Sequence, residues 1–106
     1  MNISFIQENI RQKTFYVTYH AFLSMNERNI TRTEMLKALY NGEIIEQNQK
    51  SKPYPSFLIL GRLRSGAPLH IKCSKAPWGK KLRIVTVYEP SDEEWEKDYK
   101  TRKKKR

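Results

Sequence analysis

His20 and His70 are the chain's two histidines, and only such side chains titrate near neutrality without perturbation. With Arg28, Lys72 and Tyr88 they make a set that can move protons and hold a phosphate. Cleavage of RNA without a metal needs a base for the 2′-hydroxyl, an acid for the leaving oxygen and cations for the charge growing on phosphorus. His20 and His70 are the expected acid/base pair, Arg28 the cation that offsets transition-state charge, and Tyr88 the group that orients the substrate or donates a proton. The residues alone do not say which histidine is the base. The expected product is a 2′,3′-cyclic phosphate. The competing reading is that each histidine is only a hydrogen-bonding or solvated residue.

The charge pattern points to the same substrate class. From Gln47 to Tyr88 there is no Asp or Glu, while Lys50, Lys52, Arg62, Arg64, Lys72, Lys75, Lys80, Lys81 and Arg83 all fall in this span. Cations crowded without local counter-charge repel one another, a cost that a polyanion offsets. RNA is therefore the expected partner, with Arg62, Arg64, Lys72, Lys80, Lys81 and Arg83 holding its backbone. The net charge is +10, and Arg102 to Arg106 supply half of it.

Other chemistry fits less well. His70 and Cys73 fall on opposite faces of a strand with no carboxylate nearby, so no metal site and no cofactor are expected. Cys73 alternates with Leu69 and Ile71, which places its thiol in a core where it is inert. A single cysteine fits a reducing compartment, so a cytoplasmic location is expected. Gln7, Glu8 and Asn9 interrupt any signal-like apolar stretch, and the strongest apolar run, Phe57 to Leu60, is too short to span a bilayer. No membrane association is expected.

The elements that must position these groups belong to one α+β domain over residues 1–101, followed by a flexible basic tail, 102–106. Ile3, Ile6 and Ile10 predict a first helix over residues 2–13. Thr18 caps a second from Tyr19 to Arg28, with Phe22 and Met25 facing inward. Thr31 to Glu34 is a capping box, stapled by Ile30 and Met35, for a third helix that Gly42 stops. Four strands follow at Glu43–Gln47, Phe57–Leu63, Leu69–Ser74 and Leu82–Tyr88, with a turn at Arg64–Ala67. The expected fold is thus N-terminal helices on one face of an approximately four-stranded antiparallel sheet. Ser91 to Glu94 is a second capping box and predicts a C-terminal helix whose Trp95 and Tyr99, one turn apart, dock on the sheet. Val85 and Val87 suit the helix-covered face, leaving Ile84, Thr86 and Tyr88 with His70 and Lys72 on the other. That polar face forms a cradle for a phosphodiester backbone, with Tyr88 or Tyr54 for base stacking.

The ordered set His20-Ala21, Met25, Glu27-Arg28, Ile30, Gly42-Glu43-Ile44-Ile45-Glu46, Leu60-Gly61, Pro68-Leu69-His70, Thr86-Val87-Tyr88-Glu89-Pro90 and Trp95 resembles the bacterial domain-of-unknown-function family 4258. The resemblance covers residues 18 to about 103 of this sequence. It implies membership of the RelE/ParE-like and barnase/EndoU-like superfamily of small metal-independent ribonucleases and toxins. It also implies a partner antitoxin of the zinc-finger MqsA kind, and any such partner is expected to be acidic where it covers the positive face. Carried over by position, it marks His20, Arg28, His70, Thr86 and Tyr88. The family pattern places an arginine four residues after the first histidine, where this chain has Ser24, so that contact is weakened or moves to Arg28 or Arg32. Because the superfamily includes gyrase poisons, a protein target stands as one alternative, and a non-catalytic nucleic-acid-binding or regulatory module that uses the same basic sheet stands as another.

Overall fold

The computed structural model describes residues 2–52, 54–76 and 81–104. Three helices, α1 (Ile3–Gln12), α2 (Tyr19–Glu27) and α3 (Arg32–Tyr40), and five strands, β1 (Phe15–Val17), β2 (Glu43–Asn48), β3 (Ser56–Arg62), β4 (Pro68–Lys75) and β5 (Leu82–Tyr88), make a mixed α+β fold. No described helix is long and apolar enough to cross a membrane.

Side chains at the helix starts fix the helices in sequence. The Asn2 side chain accepts from Phe5 N at 2.9 Å to open α1, and Lys13, in the left-handed region at φ 58°, closes it. Thr18 opens α2 twice over: its hydroxyl accepts from Ala21 N and donates to the Val85 carbonyl at 2.8 Å, tying the helix start to β5. The capping box of Thr31 and Glu34 opens α3 as expected, with Ile30 and Met35 both buried at the staple positions. Each such cap contributes about 1 kcal/mol.

The sheet has five strands in the order β1-β5-β4-β3-β2, open at both edges. The added strand, β1, is three residues long and lies parallel to Leu82–Ile84, whereas the other pairings are antiparallel. So short a segment carries no readable alternation, and its pairing with β5 is what makes it a strand. Helical residues Ile6, Ala21, Met25, Met35 and Leu39 meet Ile59, Leu69, Ile71, Ile84 and Val87 to form the core. Gly61 lets α3 approach β3, since a Cβ there would run into the Ala38 carbonyl.

Three expectations are corrected. Phe22 is 54% exposed on the outside of α2, and Met25 alone of the two faces inward. Ile84 lies in the core and not on the polar face, because the β4–β5 register shifts between Lys72 and Cys73. Lys72 pairs with Thr86 but Cys73 with Ile84, so Val85 is the extra residue of a bulge and parity flips beyond it.

The third correction concerns the C-terminus, where no helix follows Pro90. Trp95 N does reach the Ser91 carbonyl at 3.1 Å, but the turn ends there. The Asp98 carboxylate takes the backbone N–H groups of Lys100 and Thr101 and the Thr101 hydroxyl, and Tyr99 sits at φ 57°. These local bonds reverse the chain in place of helix continuation. Trp95 and Arg102 then bridge antiparallel, and residues 90–104 form a strap across the sheet face opposite the helices. Arg102 and Lys103 are docked by this reversal, so the expected free basic arm is, through Lys103, part of the fold.

Candidate active site and nucleic-acid interface

Register places the polar residues on the sheet face opposite the helices. His70 sits opposite Tyr88 and Lys72 opposite Thr86, while Leu58, opposite both Lys72 and Glu46, links β4 to β2. Lys72, Thr86, Tyr88, Glu46, Asn48 and Arg102 are among the residues that line a groove of about 350 Å³ on this face. The sequence correctly grouped Lys72, Thr86 and Tyr88. It missed Glu46 and Arg102, which come from the far edge strand and the strap.

His70 is fully buried beneath the strap, its ring edge-on to Trp95 with centroids 4.5 Å apart. Its Nε2 lies 2.7 Å from the Tyr99 carbonyl oxygen and its Nδ1 3.1 Å from the Tyr88 hydroxyl. A carbonyl can only accept, so Nε2 carries the hydrogen, and in the neutral ring Nδ1 accepts from Tyr88. Burial pushes the His70 pKa below its ordinary value, against the Tyr99 carbonyl and Glu46, which favour the charged ring, while Arg102 opposes it. Burial likewise pushes the Tyr88 hydroxyl up, Arg102 countering and Glu46 and Glu94 reinforcing. The phenol is therefore protonated at neutral pH, with its own hydrogen aimed inward and its lone pairs left for the groove.

Arg102 is fixed from two sides. Its Nε and Nη2 donate to Glu46 at 2.7 and 3.0 Å, and its guanidinium stacks 4.6 Å from the Trp95 ring centre. Its Nη1 makes no hydrogen bond to a described residue. Nearby, Lys100 Nζ meets Glu43 at 2.7 Å. Glu43 and Glu46, the two carboxylates that β2 contributes to this face, are thus both matched by strap cations.

The remaining sequence candidates are dispersed. His20 is exposed on α2, which packs on the helical face through Ala21 and Met25, whereas His70 points out of the opposite face. The structure does not bring the expected histidine pair together. Arg28 donates to the Ser24 carbonyl at 3.2 Å and lies 3.8 Å from Glu27, at the C-cap of the helix that carries His20. Arg83, half-buried, lies opposite Ser74 on the groove face, and Lys81 is exposed. Lys80 lies outside the described residues. Arg62 and Arg64 border a separate cleft of about 900 Å³ beside α3. Cys73 is buried in the core, where burial drives its thiol far above the ordinary range. Among the described residues, no three His, Cys, Asp or Glu side chains are grouped to hold a metal ion.

Residues 17–89 match the family described as "Domain of unknown function (DUF4258)". No curated protein and no solved structure matches the chain. The matched span begins at Val17, the last residue of β1, and contains α2, α3 and the whole of β2 to β5, with α1 before it and the strap after it. The chain belongs to the DUF4258 family.

Proposed function

We propose that this domain is a metal-independent endoribonuclease of toxin type, with its site in the groove of Lys72, Glu46, Arg102 and Tyr88. The observation that carries the reading is the convergence, in one groove, of a carboxylate, a protonated phenol and two cations. The acid/base work moves from the expected His20 and His70 to Glu46 and Tyr88, because His20 lies elsewhere and both His70 nitrogens are engaged.

In this mechanism the Glu46 carboxylate takes the proton of the 2′-hydroxyl, and O2′ attacks phosphorus. The P–O5′ bond breaks, and Tyr88 rotates its hydroxyl away from His70 to protonate O5′. Lys72 and Arg102 offset the added charge on the phosphoryl oxygens. Glu46 then releases its proton to water, and Tyr88 takes one from water, which restores both groups. The products are a 2′,3′-cyclic phosphate and a 5′-hydroxyl. His70 is a positioning residue that fixes the Tyr88 ring from beneath.

The net charge of +10 supports an anionic substrate and, for a RelE/ParE-like toxin, an acidic or zinc-finger antitoxin that covers the groove. A second reading, nucleic-acid binding without turnover, is favoured by the bidentate hold of Arg102 on Glu46, which lowers the carboxylate's value as a base.

The test is incubation of 5′-labelled RNA in EDTA with the wild type, Glu46→Gln and Tyr88→Phe. Cyclic-phosphate ends, reduced roughly 10²–10⁴-fold in each variant, support the ribonuclease. Intact RNA bound with steep salt dependence supports the binding module. Neither binding nor cleavage redirects the search to a protein target such as a gyrase.

A further inference from the structure

The larger cleft lies beyond the strap from the groove, along the same strand. Leu58 of β3 borders the groove, whereas Leu60, Arg62 and Arg64 border the cleft. From Leu58 to Arg62 the strand advances roughly 13 Å. Lys37 of α3 and Lys100 of the strap line the same cleft.

The charges in this cleft are unevenly matched. Glu43 is taken by Lys100 at 2.7 Å, and Glu34 by the backbone N–H of Thr31 at 3.0 Å in the capping box. The side chains of Lys37 and Arg64 have no hydrogen-bond or ion-pair partner among the described residues. Arg62 donates to the Gly66 carbonyl at 3.2 Å and stacks over Tyr99 at 5.7 Å, which holds its guanidinium in place. Two unmatched cations lining one cleft, with a third held in the same lining, form a cradle for an anionic oxygen group.

We infer that this cleft is a second phosphate subsite for the same RNA strand, with Lys37 and Arg64 as its principal contacts and the strap as the bridge from the groove. The inference rests on RNA being the ligand of the groove. The strap's part is electrostatic as well as steric. Lys100 and Arg102 cancel Glu43 and Glu46, so a backbone crossing from groove to cleft meets matched carboxylates in place of free ones. A strand that reaches both sites must exceed the short length that the groove alone can hold.

The experiment measures binding of fluorescein-labelled 2′-O-methyl RNAs of three and twelve nucleotides, which lack the attacking hydroxyl, across a salt series. The full chain is compared with the Lys37→Ala/Arg64→Ala double variant and with Lys72→Ala. Both cleft side chains are exposed, and circular dichroism verifies that the variants fold. The expected result is weaker binding of the twelve-mer by the double variant, with a salt slope smaller by about 1.4 for two lost phosphate contacts. Its three-mer affinity should be unchanged, whereas Lys72→Ala should weaken both. A double variant that binds the twelve-mer with the wild-type affinity and slope overturns the second subsite and leaves the groove intact. A wild type that binds neither RNA overturns the RNA reading of the groove itself.

Discussion

His70 Nδ1 and the Tyr88 hydroxyl meet at 3.1 Å across β4 and β5, where the two residues stand directly opposite in register. The pair is closed from above by Trp95 and the Tyr99 carbonyl, both supplied by the strap. A histidine expected to face solvent on a polar sheet surface is thus an interior residue with both nitrogens satisfied. Its neutral ring fixes the direction of the Tyr88 proton, so protonation of His70 would reverse that bond. Nδ1–H would then donate to the Tyr88 oxygen and free the phenolic hydrogen for the groove. Glu46, Arg102 and Glu94 are the charged groups that act on this pair.

The first prediction follows from the lowered His70 pKa. The unfolded chain takes up a proton on His70 as pH falls through about 6.5. The folded chain resists that proton to lower pH. Below about 6.5 the unfolded state binds more protons, so stability falls as pH drops and is fully retained above that value. His70→Gln removes the titration. Thermal melts from pH 7.5 to 5 should show the wild-type advantage over His70→Gln shrinking with falling pH. A constant gap across that range would show that His70 has no depressed pKa.

What could be read in the sequence was whatever local bonding decides. Thr18, Thr31 and Glu34 act on backbone groups within three residues, and they start their helices where expected. The cores of β2 to β5 were legible because alternation and bounding Pro and Gly residues are local too. The failures depend on distant partners. β1 is a strand only because Leu82–Ile84 pairs with it, and the bulge at Val85 moved Ile84 to the core by a shift no single strand encodes. Ser91 to Glu94 has a sound capping pattern, but Asp98 and the burial of Trp95 on His70 turn the chain back. Arg102 was hidden within a basic run that reads as a solvated tail. Its role depends on Glu46, 56 positions earlier.

Substitution at either of two glycines should cost stability, for different reasons and by different amounts. Gly61 has ordinary strand backbone, yet a Cβ there would collide with the Ala38 backbone and force α3 off the sheet. Gly66 faces open space but sits at φ 92°, where a side chain strains the turn. Gly66→Ala should cost about 1 kcal/mol, roughly 4–8 °C in Tm. Gly61→Ala should cost more, at or above the usual overpacking range of about 1–3 kcal/mol. Equal melting temperatures for the two variants would mean that α3 yields freely at Ala38.

The last prediction separates the two forces on Arg102. Its pair with Glu46 is half-exposed, with side-chain exposures of 56% and 35%, so the coupling should be only about 0.5–1 kcal/mol despite the bidentate geometry. Arg102 also stacks on Trp95, which adds about 0.5–1 kcal/mol that Glu46 does not share. Arg102→Ala should therefore destabilise more than Glu46→Ala. A double-mutant cycle gives the pair's own share. In high salt that share should shrink through screening while the excess cost of Arg102→Ala persists, because a short-range contact on a buried ring is screened little. Trp95 is the direct reporter, since loosening the strap exposes its indole and red-shifts its emission in Arg102→Ala before global unfolding. If Glu46→Ala produced the larger shift, the ion pair, and not the indole, would be what holds the strap over His70.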